Sequence, residues 1–183
     1  GYSNIKKITK SKNFKKIIDK DEAIKELQNI FEKFKFNKNQ YSKKNVLDLG
    51  AGSKLRSLFF EDSDIYVIEP LAKKFLSLPQ SDLHKAKAVH SEPAETFVSE
   101  IKEKMDFVMC LNVLDHCYDY SLVLSNIYNY LKKNGEFLLS VDIHEDFKCP
   151  MHPVSLTKEK LFTALKDIGF ITKEIFETGN EFT

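Results

Sequence analysis

Two spacings of apolar residues divide this chain. From Phe14 to Phe34 they recur at Phe14, Ile17, Ile18, Ile24, Leu27, Ile30, Phe31 and Phe34, the period of a helix with one buried face, and Asp21 is placed to cap its second half. Asn37 to Lys44 reads as a polar loop. Beyond it the pattern changes to short, dense apolar runs separated by turn residues and by helical segments. Val46 to Leu49 runs into Gly50 and Gly52; Asp64 to Glu69 is apolar with an acid at its tip; Ala86 to Ser91 is a weaker third run. Met105 to Asn112 is apolar almost throughout, as suits a central parallel strand covered on both faces. A turn at Asn134 and Gly135 precedes a fifth strand, Glu136 to Ile143, and Phe170 to Phe176 makes a sixth.

Helices are predicted between these runs, at Leu55 to Phe60, Ala72 to Leu78, from Pro93 with Phe97, Val98 and Ile101 inward, and at Tyr120 to Leu131. The last runs from a Thr157 cap to Ile168 and is stopped by Gly169. Strands alternating with helices predict an α/β fold, a doubly wound, mostly parallel sheet with helices on both faces. Residues 1–43 form a lysine-rich arm and amphipathic helix; residues 44–183 form one globular unit. Ligand chemistry in such a sheet belongs at the carboxyl ends of the strands. Here those ends hold Asp48 to Lys54, Glu69, Ser91 to Glu95, Asn112 to Cys117, and Asp142 to His144.

Composition narrows the function classes. The chain has 183 residues, 42% hydrophobic and 30% charged, and it holds no apolar run long enough for a membrane span or a signal pattern. A cytoplasmic location is expected. Cys110, Cys117 and Cys149 form no CxxC pair, so they indicate neither a disulfide framework nor a zinc site, and Cys110 reads as a small core residue. The net charge of +1 conceals thirteen lysines against five acids in residues 1–45. Such an arm attracts anions. Yet Arg56 is the one arginine beside 27 lysines, and no aromatic residues interleave with the bases, so a solvated helix face explains the arm better than nucleic-acid binding does.

VLDLGAGSK, Val46 to Lys54, is the stretch that carries chemistry. Glycine at positions 50 and 52 accepts positive φ or lets the backbone approach a ligand, and Glu69 follows at about the twenty-residue spacing from which an acid reaches a ribose diol. With YVIEP, SEPAE, MCLNVLDH, LKKNGEFLLSV and GFITKEIF in the same order, the chain resembles the class I S-adenosylmethionine-dependent methyltransferases over residues 44–176. The resemblance implies a Rossmann-like methyltransferase fold with S-adenosyl-L-methionine as cofactor. It places Gly50 and Gly52 against the aminoacyl part, with Asp48 helping to hold it. It puts Glu69 on the ribose, Pro70 or Leu71 on the adenine face, Ala94 and Glu95 at the adenine edge, and a carbonyl near Leu111 or Asn112 at the methionine amine.

Two departures stand out. Lys54 occupies a position where the family often has a third glycine, and only Glu181, Phe182 and Thr183 follow Asn180, so the last strand is missing or cut away. A nicotinamide-binding domain is the competing reading, but its fingerprint wants glycine where Leu55 stands. CLNVLDH also lacks the Asp/Asn-Pro-Pro-aromatic tetrad of methyltransferases acting on adenine or amide nitrogens. A small-molecule acceptor is therefore expected, with RNA or protein methylation through the basic arm, or an inactive cofactor-binding scaffold, as alternatives. His116 and His144 are the candidate bases, with His152 third. Asp115 and Asp142 are too weak a pair to assign a metal. Phe14, Tyr118, Tyr120, Phe147 and Met151 are candidate acceptor contacts.

Overall fold

The structure, a computed structural model, describes residues 30–143 and 153–175. The chain divides into two units, residues 1–37 with 176–183 and residues 38–175. In the first, residues 30–33 are helical, the end of the helix predicted from Phe14, whose earlier part lies outside the described residues. The Phe36 N–H bonds to the Phe31 carbonyl at 2.9 Å and their rings meet edge-on at 5.7 Å.

The second unit carries a five-stranded parallel sheet: β1 (Asn45–Leu49), β2 (Asp64–Ile68), β3 (Ala88–His90), β4 (Met105–Leu111) and β5 (Leu131–Ser140). The spatial order is β3-β2-β1-β4-β5. The chain reverses its direction of winding between β1 and β4, and in sheets of this kind ligand chemistry belongs at the carboxyl ends of those two strands. Three α-helices lie among the described residues of this unit: α1 (Ala72–Leu76), α2 (Tyr120–Tyr130) and α3 (Lys158–Ile168). None of the described helices is long and apolar enough to cross a membrane.

Alternation along the strands supplies a core on each face of the sheet. Leu47 and Leu49 of β1 with Val108 and Cys110 of β4 face Val123, Leu124 and Ile127 of α2 and Leu161 of α3. Ile65 and Val67 of β2 point the other way, with Ala72 of α1, Leu55 and Leu83. Both faces are covered, as the doubly wound reading requires. Cys110 is fully buried, as expected of a core residue. Tyr41, placed in a polar loop by its sequence context, is buried instead. Its ring stacks on Phe107 at 4.4 Å and its hydroxyl donates to Glu136 Oε2 at 2.6 Å.

Several expected elements take a different form. The helix expected at Leu55 to Phe60 is only a 3₁₀ turn at Arg56–Phe59, whose first-turn donor, the Ser57 N–H, bonds to the Asp48 carboxylate. The Pro93 helix does not form. Residues 91–98 are loop, and only Ser99–Ile101 makes a 3₁₀ turn. Backbone groups that a helix would need are taken there by side chains, the Ala94 and Glu95 carbonyls by Asn126 and the Val98 N–H by Tyr130. Asn134 and Gly135 lie inside β5 at a register irregularity opposite Met105 to Phe107, with Asn134 at φ +65°, rather than preceding the strand. The sixth strand is not formed over residues 170–175, where Ile171 and Ile175 are 89% and 55% exposed. An apolar run without a neighbour to cover it gains little from extending.

Candidate active site

The corner after β1 is built from its own residues. Asp48 alternates onto the face opposite Leu47 and Leu49 and is buried. Its Oδ2 accepts the Ser57 N–H at 3.2 Å, fastening the 3₁₀ turn to the strand. Burial pushes the Asp48 carboxyl up to about 6, against the lowering effect of the Ser57 hydrogen bonds and Arg56. Gly50 has φ +71° and donates its N–H to the Ile68 carbonyl at 2.8 Å. A Cβ there would lie 2.3 Å from Val113 Cγ2, so glycine is required twice over, by conformation and by contact. Gly52, at φ +63°, is different. A Cβ built on it meets nothing within 4 Å, leaving a bare strip of backbone against which a ligand can lie.

Glu69 closes this corner from the tip of β2. It is buried; Oε2 accepts the Gly52 N–H and Oε1 the Leu71 N–H, each at 2.9 Å. Two oxygens provide about four acceptor positions, so the carboxylate keeps capacity for ligand hydroxyls while bracing the turn. Pro70 is exposed beside it, and Leu71 is 46% exposed, an apolar surface at the edge of the crevice. Lys54 is occupied elsewhere. Its Nζ donates to the Gln80 carbonyl at 2.9 Å and lies 3.7 Å from Asp82 Oδ2.

The loop after β3 leans on the same strand tip. The Glu69 N–H bonds to the His90 carbonyl at 3.0 Å, and Ser91 Oγ to the Pro70 carbonyl at 3.4 Å. Ala94 is buried in this loop and Glu95 half-buried, with Glu95 Oε1 accepting the Tyr118 N–H at 2.8 Å.

At the end of β4, Leu111 is buried and Asn112 is exposed with φ +55°, a left-handed conformation that few residues other than glycine and asparagine adopt. The Asn112 N–H bonds to the Ser140 carbonyl at 2.8 Å. Val113 then turns onto Gly50, joining the tips of β1 and β4. Leu114–His116 follows as a 3₁₀ turn in which His116 is exposed and its Nε2 lies 3.7 Å from Oδ2 of buried Asp115.

Gly50, Gly52, Glu69, Pro70, Ala94, Glu95, Leu111 and Asn112 thus stand on neighbouring strand tips at one end of the sheet, with Asp48 behind them and His116 on the turn beyond β4. His144, His152, Phe14, Phe147 and Met151 lie outside the described residues, and Asp142 is exposed. Among the described residues no three His, Cys, Asp or Glu side chains gather as metal ligands. Val113, Asn126 and Tyr130 were not among the residues that sequence singled out. The signal available was an asparagine set among the apolar positions Val123, Leu124, Ile127 and Tyr130 of α2.

Residues 18–167 match the model of a family described as methyltransferase domain. No curated protein matches the chain in sequence. Among solved structures, YcgJ from Bacillus subtilis is 15% identical with a TM-score of 0.62, over 78% of this chain and 66% of that protein. A phosphoethanolamine N-methyltransferase 2 from Haemonchus contortus, in complex with S-adenosyl-L-methionine, is 18% identical with a TM-score of 0.61, over 80% of this chain and 37% of that one. The 1,6-didemethyltoxoflavin-N1-methyltransferase of Burkholderia thailandensis is 15% identical with a TM-score of 0.50, over 78% and 64%. At these identities the likeness is one of fold, and the chain spans two thirds or less of each protein's length.

Proposed function

We propose that this chain, which belongs to the methyltransferase domain family, transfers the methyl group of S-adenosyl-L-methionine to a small organic acceptor. The observation that carries this reading is the corner where Gly52 presents uncovered backbone and donates to a buried acid at the next strand tip, at the point where the sheet reverses its winding. A sulfonium amino acid joined to a nucleoside brings a cation, a diol and a flat base. The donors and acceptors at this end of the sheet fit each part.

In this reading Gly50, Gly52 and Asp48 hold the aminoacyl end, with the Leu111 or Asn112 carbonyl toward its ammonium. Glu69 takes the ribose hydroxyls on the lone pairs left free by Gly52 and Leu71. Pro70 and Leu71 cover one face of the base, and Ala94 and Glu95 address its edge. The cofactor supplies a methyl group already activated for displacement, so the chain's main task is to orient the acceptor and keep water out. A hydroxyl or ammonium acceptor must also lose a proton. His116 is the proposed base, steadied by Asp115 at 3.7 Å, and His144 the second candidate. Tyr118, 81% exposed on the segment between β4 and α2, is a proposed acceptor contact. The cytoplasm is the proposed location.

Thermal unfolding with and without S-adenosylmethionine or S-adenosylhomocysteine tests the donor. Ligand at a hundred times its dissociation constant adds about 2.7 kcal/mol of stability, several degrees for a domain of this size. Failure of both to raise the midpoint removes the reading. An acceptor panel followed by transfer of labelled methyl then identifies the substrate class, and labelling of RNA or protein alone would replace the small-molecule assignment.

A further inference from the structure

The loop over residues 91–98 has no regular secondary structure, yet its backbone is tied closely to α2. Asn126, buried on the inner face of α2, donates from Nδ2 to the Ala94 carbonyl and to the Glu95 carbonyl, each at 3.0 Å. Since carbonyls only accept, the amide must present its NH₂ to them. Tyr130, four residues on and therefore on the same helix face, is buried as well. Its hydroxyl accepts the Val98 N–H at 2.9 Å and donates to the Thr96 carbonyl at 3.3 Å. The Phe97 ring stacks on it at 5.3 Å with only 2° between the planes. Two side chains of one helix thereby set the path of the loop from Ala94 to Val98, while its other end rests on Pro70 at the tip of β2.

We propose that Asn126 and Tyr130 are positioning residues for base recognition. They fix the main-chain groups of residues 94–98 in the arrangement that reads the edge of adenine, so the choice of nucleobase is set from α2. This rests on the donor reading above. Adenine offers a donor at N6 and an acceptor at N1, whereas hypoxanthine reverses both. A backbone held in one place separates the two bases, and one free to adjust does not.

The experiment measures dissociation constants of S-adenosylhomocysteine and S-inosylhomocysteine, identical except at the base, for the wild type, Asn126→Leu and Tyr130→Phe. Wild type should prefer the adenine ligand. Either variant should lose about tenfold or more of that preference, mainly through weaker adenine binding, with the inosine ligand changed by less than about threefold. Tyr130→Phe keeps the ring and its stack on Phe97, so it carries the test if Asn126→Leu does not fold. Preference retained in the variants, both ligands weakened in parallel, or no preference in the wild type overturns the proposal and leaves the donor reading standing. A wild type that binds neither ligand overturns the donor reading itself.

Discussion

The turn after β1 and the loop after β3 lie at the same end of the sheet and meet at the tip of β2, but they acquire their shapes by opposite means. The β1 turn is held over short stretches of chain: Asp48 reaches nine residues forward to Ser57, and Glu69 reaches seventeen back to Gly52. Its two glycines carry the positive φ themselves. The β3 loop has no such residues and takes its form from Asn126 and Tyr130, more than thirty residues downstream for most of its bonds. A turn that encodes its own geometry depends on its own residues; a turn shaped from outside can be changed without touching its sequence.

Breaking the self-held turn should have the largest effect. Gly50→Ala places a methyl 2.3 Å from Val113 Cγ2 on a backbone at φ +71°. Overpacking and the left-handed conformation together cost about 4 kcal/mol, enough to abolish cofactor binding and lower the denaturant midpoint sharply. Adding Val113→Ala removes the contacts at 2.3 and 2.9 Å but keeps the Val113 Cβ at 3.2 Å, so it should recover most of the packing part and leave about 1–2 kcal/mol of backbone strain. If the double variant is no more stable than Gly50→Ala, Val113 is not the obstacle.

Glu69→Ala comes next, because it strips the acceptor from two backbone N–H groups, Gly52 and Leu71. At about 1.5–3 kcal/mol for each hydrogen bond to a charged group, chemical denaturation should register a loss of about 3–4 kcal/mol, and S-adenosylhomocysteine affinity should fall by tenfold or more. Equal affinity in variant and wild type would refute the ribose assignment.

The same contrast explains which parts of the fold and of the site are legible in the sequence. The motif order pointed to the family and fold because β1, β2 and β4 are dense apolar runs whose turns follow at once, and the glycines and Glu69 advertise their corner locally. Pro93 announced a helix that does not form, since the acceptors and donors that prevent it belong to α2. Tyr41 looked like a loop residue because Phe60, Phe107 and Glu136, its partners, are scattered along the sequence. Ile171 and Ile175 have the β-branched character of a strand, and character alone does not supply a neighbour.

Asp48 offers a smaller effect with a definite sign. Its folded-state carboxyl titrates at about 6, above the ordinary value of about 4, so the folded protein holds this proton more tightly than the unfolded chain. Stability from this group is present below about pH 4 and is lost as pH rises through about 6. Asp48→Asn removes the titration and keeps an oxygen for Ser57. Relative to wild type, it should be more stable at pH 8 by up to about 3 kcal/mol, a margin that shrinks toward pH 4. Acids held low by lysine neighbours, such as Asp106 beside Lys132, titrate in both proteins and cancel from the difference. A margin independent of pH would exclude Asp48 as its source.

Lys54 gives the smallest effect and the finest test of how self-sufficient the β1 turn is. Its ammonium ties the turn to the 80–82 segment, donating to the Gln80 carbonyl at 2.9 Å and facing Asp82 at 3.7 Å. The turn is tied to that segment through the Ser53 carbonyl as well, which accepts the Asp82 N–H at 2.9 Å and the Ser81 hydroxyl at 3.4 Å. Lys54 is 39% exposed, where an ion pair contributes about 0–1 kcal/mol, so Lys54→Met should shift the unfolding midpoint by no more than a degree or two. If Asp48 and Glu69 are sufficient to hold the turn, its affinity for S-adenosylhomocysteine should stay within about threefold of wild type. A tenfold loss would mean that the β1 turn, like the β3 loop, is shaped from a distance, and that the contrast between them is one of degree.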